Sequence, residues 1–210
     1  MDRRLALTAI RLGSVALVLA AIVAQAVELA DHGRFDATRF FAFFTIQSNL
    51  IGVAALVWVL FARARPRSRA LELFRGAAAA YLTVTFFVVI VLLSGIDVQL
   101  QLVWVDIVLH KLFPVIVVLD WVVDPPQVRL KLRAAFVWLV FPLVWIGLTL
   151  VRGAVDGWYP YPFLDPANGG YGQVVVTIAA ITVGFLILTL GAVELANRLA
   201  SRARQIQPAT

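Results

Sequence analysis

Six stretches of mostly apolar residues follow one another along the chain, each long enough to cross the hydrocarbon core of a bilayer as an α-helix. They run Leu12–Ala30, Phe40–Phe61, Gly76–Ser94, Leu102–Val123, Ala135–Val151 and Val174–Leu195. Apolar residues make up 62% of the 210 and charged ones 14%, against about 25% charged in an ordinary soluble domain. A soluble domain of this size cannot hide so much apolar surface from water. Continuous apolarity also favours helices over a membrane barrel, whose strands alternate. The expected fold is all-α: one integral membrane bundle of six transmembrane helices over residues 1–210, ending in a polar cytoplasmic tail over 199–210.

The charges fit this topology. Basic residues cluster before the first span (Arg3, Arg4, Arg11), after the second (Arg63, Arg65, Arg67, Arg69, Arg75), after the fourth (Arg129, Lys131, Arg133) and after the sixth (Arg198, Arg202, Arg204). Arg34, Arg39 and Arg152 fall on the other side. The asymmetry puts both termini in the cytoplasm of a plasma (inner) membrane. It also accounts for the net charge of +6 through topology and contact with anionic lipid, so nucleic acid is not an expected partner. Arg3 and Arg4, an apolar run, then Ala24-Gln25-Ala26 resemble a signal peptide with its cleavage site. Retention of the first span is expected, because the run continues to Ala30.

Cys is absent and His occurs twice, which argues against thiolate chemistry and multi-His metal sites. No cofactor is expected. Ionisable groups inside a span are costly and are the first functional candidates. Asp106 and His110, four residues apart in the fourth span, share a helix face. The carboxylate can accept from one ring nitrogen and leave the other basic. Pro114 removes the donor that would bond the His110 carbonyl and predicts a kink. Lys111 is expected to pair with a carboxylate. Glu28, Asp120, Asp124 and Glu194 read as structural, with Glu194 meeting the basic tail.

The second span opens with Thr45-Ile46-Gln47-Ser48-Asn49, where Thr45 and Asn49 share a face. Counted from Phe40, Thr45 lies about 8 Å deep at 1.5 Å per residue, level with Asp106, with His110 and Asn49 one turn deeper. Matching depth is what a shared pocket in the outer half of the bilayer requires. A Thr hydroxyl beside a His is the pairing for nucleophilic attack on an ester. Asn49 or Gln47 would supply a hydrogen bond to the developing oxyanion. The outer loop Asp156–Pro166, with its aromatics and three Pro, reads either as an interfacial anchor or as a cap over a lipid-facing pocket.

Three segments carry a family resemblance: Phe44-Thr45-Ile46-Gln47-Ser48-Asn49, His110-Lys111-Leu112-Phe113-Pro114, and Trp158 through Leu164. On them the chain resembles a bacterial branch of the androgen-induced-gene family of multi-span membrane proteins. The resemblance implies a threonine hydrolase that cleaves fatty-acid esters of hydroxy fatty acids or related lipid esters, with Thr45 as nucleophile and His110 as base. Asp106, Asn49 and Gln47 are supporting candidates read from the residues alone. Two other readings predict different behaviour. A scaffold or lipid-binding protein would tolerate apolar isosteres at Thr45 and His110. A proton-coupled carrier using Asp106, His110 and Lys111 would need a water path between the two faces.

Overall fold

In the computed structural model, which describes residues 2–62, 67–93 and 102–206, the protein is helical, with no strand among the described residues. Helix α1 (Arg3–Asp31) is followed by a short α2 (Ala37–Phe40), then α3 (Phe44–Phe61) and α4 (Arg69–Leu92). Next come α5 (Val103–Ile107), a π-helical turn (Val108–Leu112) and α6 (Phe113–Val123), which continue one another without a gap. After α7 (Arg133–Asp156), two 3₁₀ turns (Pro162–Leu164 and Pro166–Asn168) lead into α8 (Gly170–Ile206). Five helices, α1, α3, α4, α7 and α8, are long and apolar enough to cross a membrane. The fourth apolar stretch is the helical run 103–123, divided by its π turn.

The helices start where side chains can take up unpaired amides. Asp2 accepts from Arg4 N, Asp36 from Thr38 N and Arg39 N, and Ser68 from Leu71 N. Helix α7 ends at Gly157, whose φ of +70° suits a residue without a Cβ. Helix α3 packs most extensively on α4, and α1, α4 and α6 complete the centre of the bundle. Close approach is allowed at Gly52, where a Cβ would stand 2.7 Å from the Phe113 ring, and at Gly76, where it would strike Trp138. On the outside, Val137, Val140, Val144, Leu148, Val151 and Val155 form an exposed stripe along α7. Exposed Val175, Val176, Val183 and Ile187 do the same on α8. An apolar exterior of this extent belongs in lipid, so the protein is a membrane protein.

Three of the charges expected as flanking residues, Arg11, Arg67 and Arg75, are inside the bundle. Arg11 Nε donates to Asp120 Oδ1 at 2.7 Å, and its Nη2 to Asp124 Oδ2 at 2.6 Å. Arg67 bonds Glu72 (2.7 Å) and Asp124 (2.7 Å), while Arg75 bonds Glu72 (2.9 Å) and Asp120 (3.0 Å). Three guanidinium groups thus meet three carboxylates, and Gln127 N adds a bond to Glu72. The cluster joins α1, α4, α6 and the segment before α4 at one end of the bundle. Removing a single member of such a buried set costs about 3–5 kcal/mol, because its partner is left charged and unpaired. Arg75 therefore lies within α4, not in a loop, and Arg67 is buried; Arg63, Arg65 and Ser94 lie outside the described residues. The segment expected as a polar tail remains helical through Ile206. Glu194 accepts from Arg198 at 2.8 Å, one turn along α8.

Candidate active site

The opposite end of the bundle holds the polar residues of α3 and of the π turn. The second apolar stretch is not one helix from Phe40. Asp36 caps α2, the chain turns through residues 41–43, and α3 begins at Phe44. Thr45 therefore sits in the first turn of α3, nearer the helix end than the expected 8 Å, and level with His110. Within the π turn, Phe113 N bonds to Val108 O five residues back, so Leu109 O has no α-helical donor. Asn49 Nδ2 fills that vacancy at 3.1 Å and also donates to Thr45 O at 2.8 Å. The carbonyl captured next to Pro114 is thus that of Leu109, one residue before the His110 carbonyl expected from the sequence.

This brace holds α3 against the π turn and brings Thr45 Oγ1 to 3.2 Å from His110 Nε2. Both residues are buried, at 6% and 3% exposure. His110 Nδ1 lies 2.8 Å from Asp106 Oδ1, and Lys111 Nζ donates to Asp106 Oδ2 at 3.1 Å. A carboxylate can only accept, so the Nδ1 position carries the ring hydrogen and Nε2 is left as an acceptor facing the Thr45 hydroxyl. The direction of the chain of bonds is therefore fixed: Thr45 to His110 to Asp106. Gln47 is not part of it. Its Nε2 donates to Phe41 O at 2.8 Å, which closes the turn before α3. Asn49 touches the site only through the main chain, since both hydrogens of its amide are used in the brace.

A residue not singled out by sequence completes the group. Tyr161 OH stands 3.2 Å from Thr45 Oγ1 and accepts from Thr45 N at 3.2 Å. Burial pushes its phenol above the ordinary value, against the opposing effect of its bonds to Thr45, so it remains a neutral donor. Tyr161 is held by stacking on Phe163 (ring centroids 5.3 Å apart) and by edge contact with Phe43 (5.7 Å). Its segment is the aromatic, Pro-rich loop 156–166, which was the sequence signal for it. The loop packs over the site. Arg39 and Arg152 lie on the Trp158 ring at 5.5 and 5.0 Å, and Arg152 also bonds Thr38 O and Asp156. Bonding from Trp158 N, then Arg152, holds the Asp156 carboxyl below its usual range.

Two cavities share Thr45 and Tyr161 as wall residues. One, of about 230 Å³, is bordered by Gln25, Phe43, Ile46, His110 and Trp158, with Arg34, Asp36 and Arg39 among its wall residues. The other, of about 60 Å³, is walled by apolar residues including Val84, Val88, Trp145, Phe163 and Ile178. Among the described residues, no group of three His, Asp or Glu side chains is placed to hold a metal ion.

A family model described as FAR-17a/AIG1-like protein matches residues 41–197, a span that contains every residue of the Thr45, His110, Asp106 and Tyr161 group. The chain belongs to the FAR-17a/AIG1-like family. Comparison with curated proteins and with solved structures gives no match. The family match covers α3 through most of α8 and with them the whole wall of the apolar cavity, whereas half of the wall residues of the larger one (Gln25, Leu29, Arg34, Asp36, Arg39 and Phe40) come from outside the region that defines this FAR-17a/AIG1-like chain.

Proposed function

We propose that this FAR-17a/AIG1-like protein is an intramembrane hydrolase of lipid esters, with Thr45 as nucleophile and His110 as general base. The observation that carries the reading is the 3.2 Å approach of Thr45 Oγ1 to His110 Nε2, with Asp106 2.8 Å behind the ring. In the first half-reaction Thr45 Oγ1 attacks the acyl carbon and its proton passes to Nε2. The tetrahedral intermediate collapses as the imidazolium gives that proton to the leaving alkoxide, which departs as the alcohol. Water then attacks the acyl-threonine, again giving a proton to His110, and the fatty acid leaves as Thr45 recovers its hydrogen. Asp106 orients the ring and offsets its transient charge. Tyr161 steadies the nucleophile.

The two cavities support a lipid substrate: the apolar one suits the methylene groups next to the ester, and the more polar part of the ester suits the one bordered by Arg34 and Arg39. Fatty-acid esters of hydroxy fatty acids are one substrate of this kind. We also infer six spans, the run 103–123 being the sixth, with both termini on the cytoplasmic side of the plasma membrane. Arg3, Arg4, Arg129, Lys131, Arg133 and Arg198 at one end support that orientation. The ionic cluster that fills this same end leaves little room for a carrier's water path. A scaffold has no need of a Thr–His–Asp series whose Thr and His are buried.

The test is hydrolysis of a panel of long-chain lipid esters by purified wild type, Thr45→Val and His110→Ala. Turnover by wild type and its loss in both folded variants is the expected result. Undiminished turnover in Thr45→Val overturns the assignment.

A further inference from the structure

Attack on an ester moves negative charge onto the carbonyl oxygen, and fixed donors must meet it there. The two side-chain amides suggested for this by sequence are committed elsewhere: Gln47 to Phe41 O, and Asn49 to Thr45 O and Leu109 O. One other amide-bearing residue borders the cavity that contains Thr45 and His110: Gln25, in the last third of α1. Gln25 is 1% exposed, and neither its Nε2 nor its Oε1 has a hydrogen-bond partner among the described residues. A buried amide with nothing to bond is a cost to the empty protein. A leucine or methionine in this apolar helix would avoid it. Ser14, about three turns earlier in α1, does better: it bonds back to Ile10 O at 2.7 Å.

A second donor comes from α3. The main-chain ladder of α3 starts with Gln47 N bonding to Phe43 O, and Thr45 N is taken by Tyr161. The amide of Ile46 lies ahead of that ladder, in the first turn, and Ile46 borders the same cavity. It belongs to the residue after the nucleophile, the position whose N–H commonly forms half of an oxyanion pocket in hydrolases, the other half coming from a distant segment.

We propose that Gln25 Nε2 is the distant half: a catalytic donor that, with Ile46 N–H, binds the carbonyl oxygen of the ester and holds the oxyanion formed when Thr45 attacks. The inference rests on the hydrolase reading. It assigns a role to α1, which lies outside the matched family region, and it makes the unpartnered amide a group whose partner is the substrate.

The experiment compares wild type with Gln25→Met and Gln25→Leu in detergent micelles. It measures kcat and KM on an ester cleaved by wild type, inhibition by a long-chain trifluoromethyl ketone, and Tm. The ketone forms a tetrahedral adduct with the nucleophile and so presents the oxyanion itself. The expected result is kcat lower by about 10²–10³-fold, KM within about threefold, and ketone inhibition weakened in parallel with kcat. Tm should be unchanged or raised, because an unpaired buried amide has been removed. Two results overturn the inference: kcat within about threefold of wild type, or a loss of rate accompanied by lower Tm with ketone inhibition unchanged. If wild type cleaves esters and Thr45→Val does not while both Gln25 variants remain fully active, only this inference falls. If wild type neither cleaves esters nor binds the ketone, the hydrolase reading falls and takes this one with it.

Discussion

Replacing Asp106 by Asn should reverse the hydrogen-bond sense of the His110 ring. In the native site Asp106 accepts twice, from His110 Nδ1 through one oxygen and from Lys111 Nζ through the other. An Asn side chain has one acceptor and one donor group. Lys111 can only donate, so the Asn oxygen turns toward it and the Asn amide faces Nδ1. The ring must then carry its hydrogen on Nε2, pointing at the Thr45 hydroxyl that needs an acceptor. The same exchange in Ser-His-Asp hydrolases lowers kcat about 10⁴-fold with the geometry intact. Here Asp106 is partly exposed and water can compete, so a loss of about 10³–10⁴ is expected, or about 4–5.5 kcal/mol in the barrier. The assay is ester hydrolysis by Asp106→Asn, Lys111→Met and the double variant, with KM and Tm measured alongside. Lys111 fixes the Asn orientation, so adding Lys111→Met should recover about tenfold of the lost rate, while Lys111→Met alone has little effect. An Asp106→Asn enzyme that keeps a third or more of wild-type kcat would refute the argument from tautomer.

Three further outcomes follow from the geometry. Tyr161→Phe removes the hydroxyl that meets Thr45 Oγ1 and N, and at about 0.5–1.5 kcal/mol per bond should lower kcat by roughly 5–150-fold, with a modest fall in Tm because Thr45 N loses its buried partner; steady-state kinetics decide it. Glu72→Gln leaves Arg67 and Arg75 short of a countercharge inside the bundle, and should lower stability by about 3–5 kcal/mol in denaturation from micelles, with kcat at low temperature little affected. The Asp156 carboxyl is held below its usual range by Trp158 N and Arg152, so its contribution to loop order is complete above the ordinary value near 3.9 and is lost as pH falls through the lower folded value. Trp158 fluorescence should therefore be flat from pH 8 to 5 and change only below about pH 4, and Asp156→Asn should remove that acid transition.

The long apolar helices were legible because continuous apolarity needs no partner to be read, and α1, α3, α4, α7 and α8 each hold all or most of one apolar stretch. The start of α3 was not. Phe40, Phe41, Phe43 and Phe44 make residues 40–44 look like unbroken helix, while the break between α2 and α3 depends on the Asp36 cap and on Gln47 reaching back to Phe41 O. Thr45, His110 and Asp106 stood out because polar groups in an apolar stretch are costly, and the Asp106–His110 pair is local, four residues apart. Tyr161 is 116 residues from Thr45, and Arg11 is 109 from Asp120. No local pattern announces such pairings. Arg11, Arg67 and Arg75 therefore read as free cytoplasmic charge when they are internal ion pairs. Gln47 and Asn49 could not be told apart by spacing alone, since what separates them is which carbonyl each amide finds.

The most direct test of the central claim is to trap the nucleophile. Purified protein treated with a long-chain fluorophosphonate should gain one adduct, located at Thr45 by peptide mass spectrometry. The adduct should be absent after treatment of Thr45→Val and should form far more slowly in His110→Ala. Modification of another residue, or equal labelling of Thr45→Val, would contradict the account.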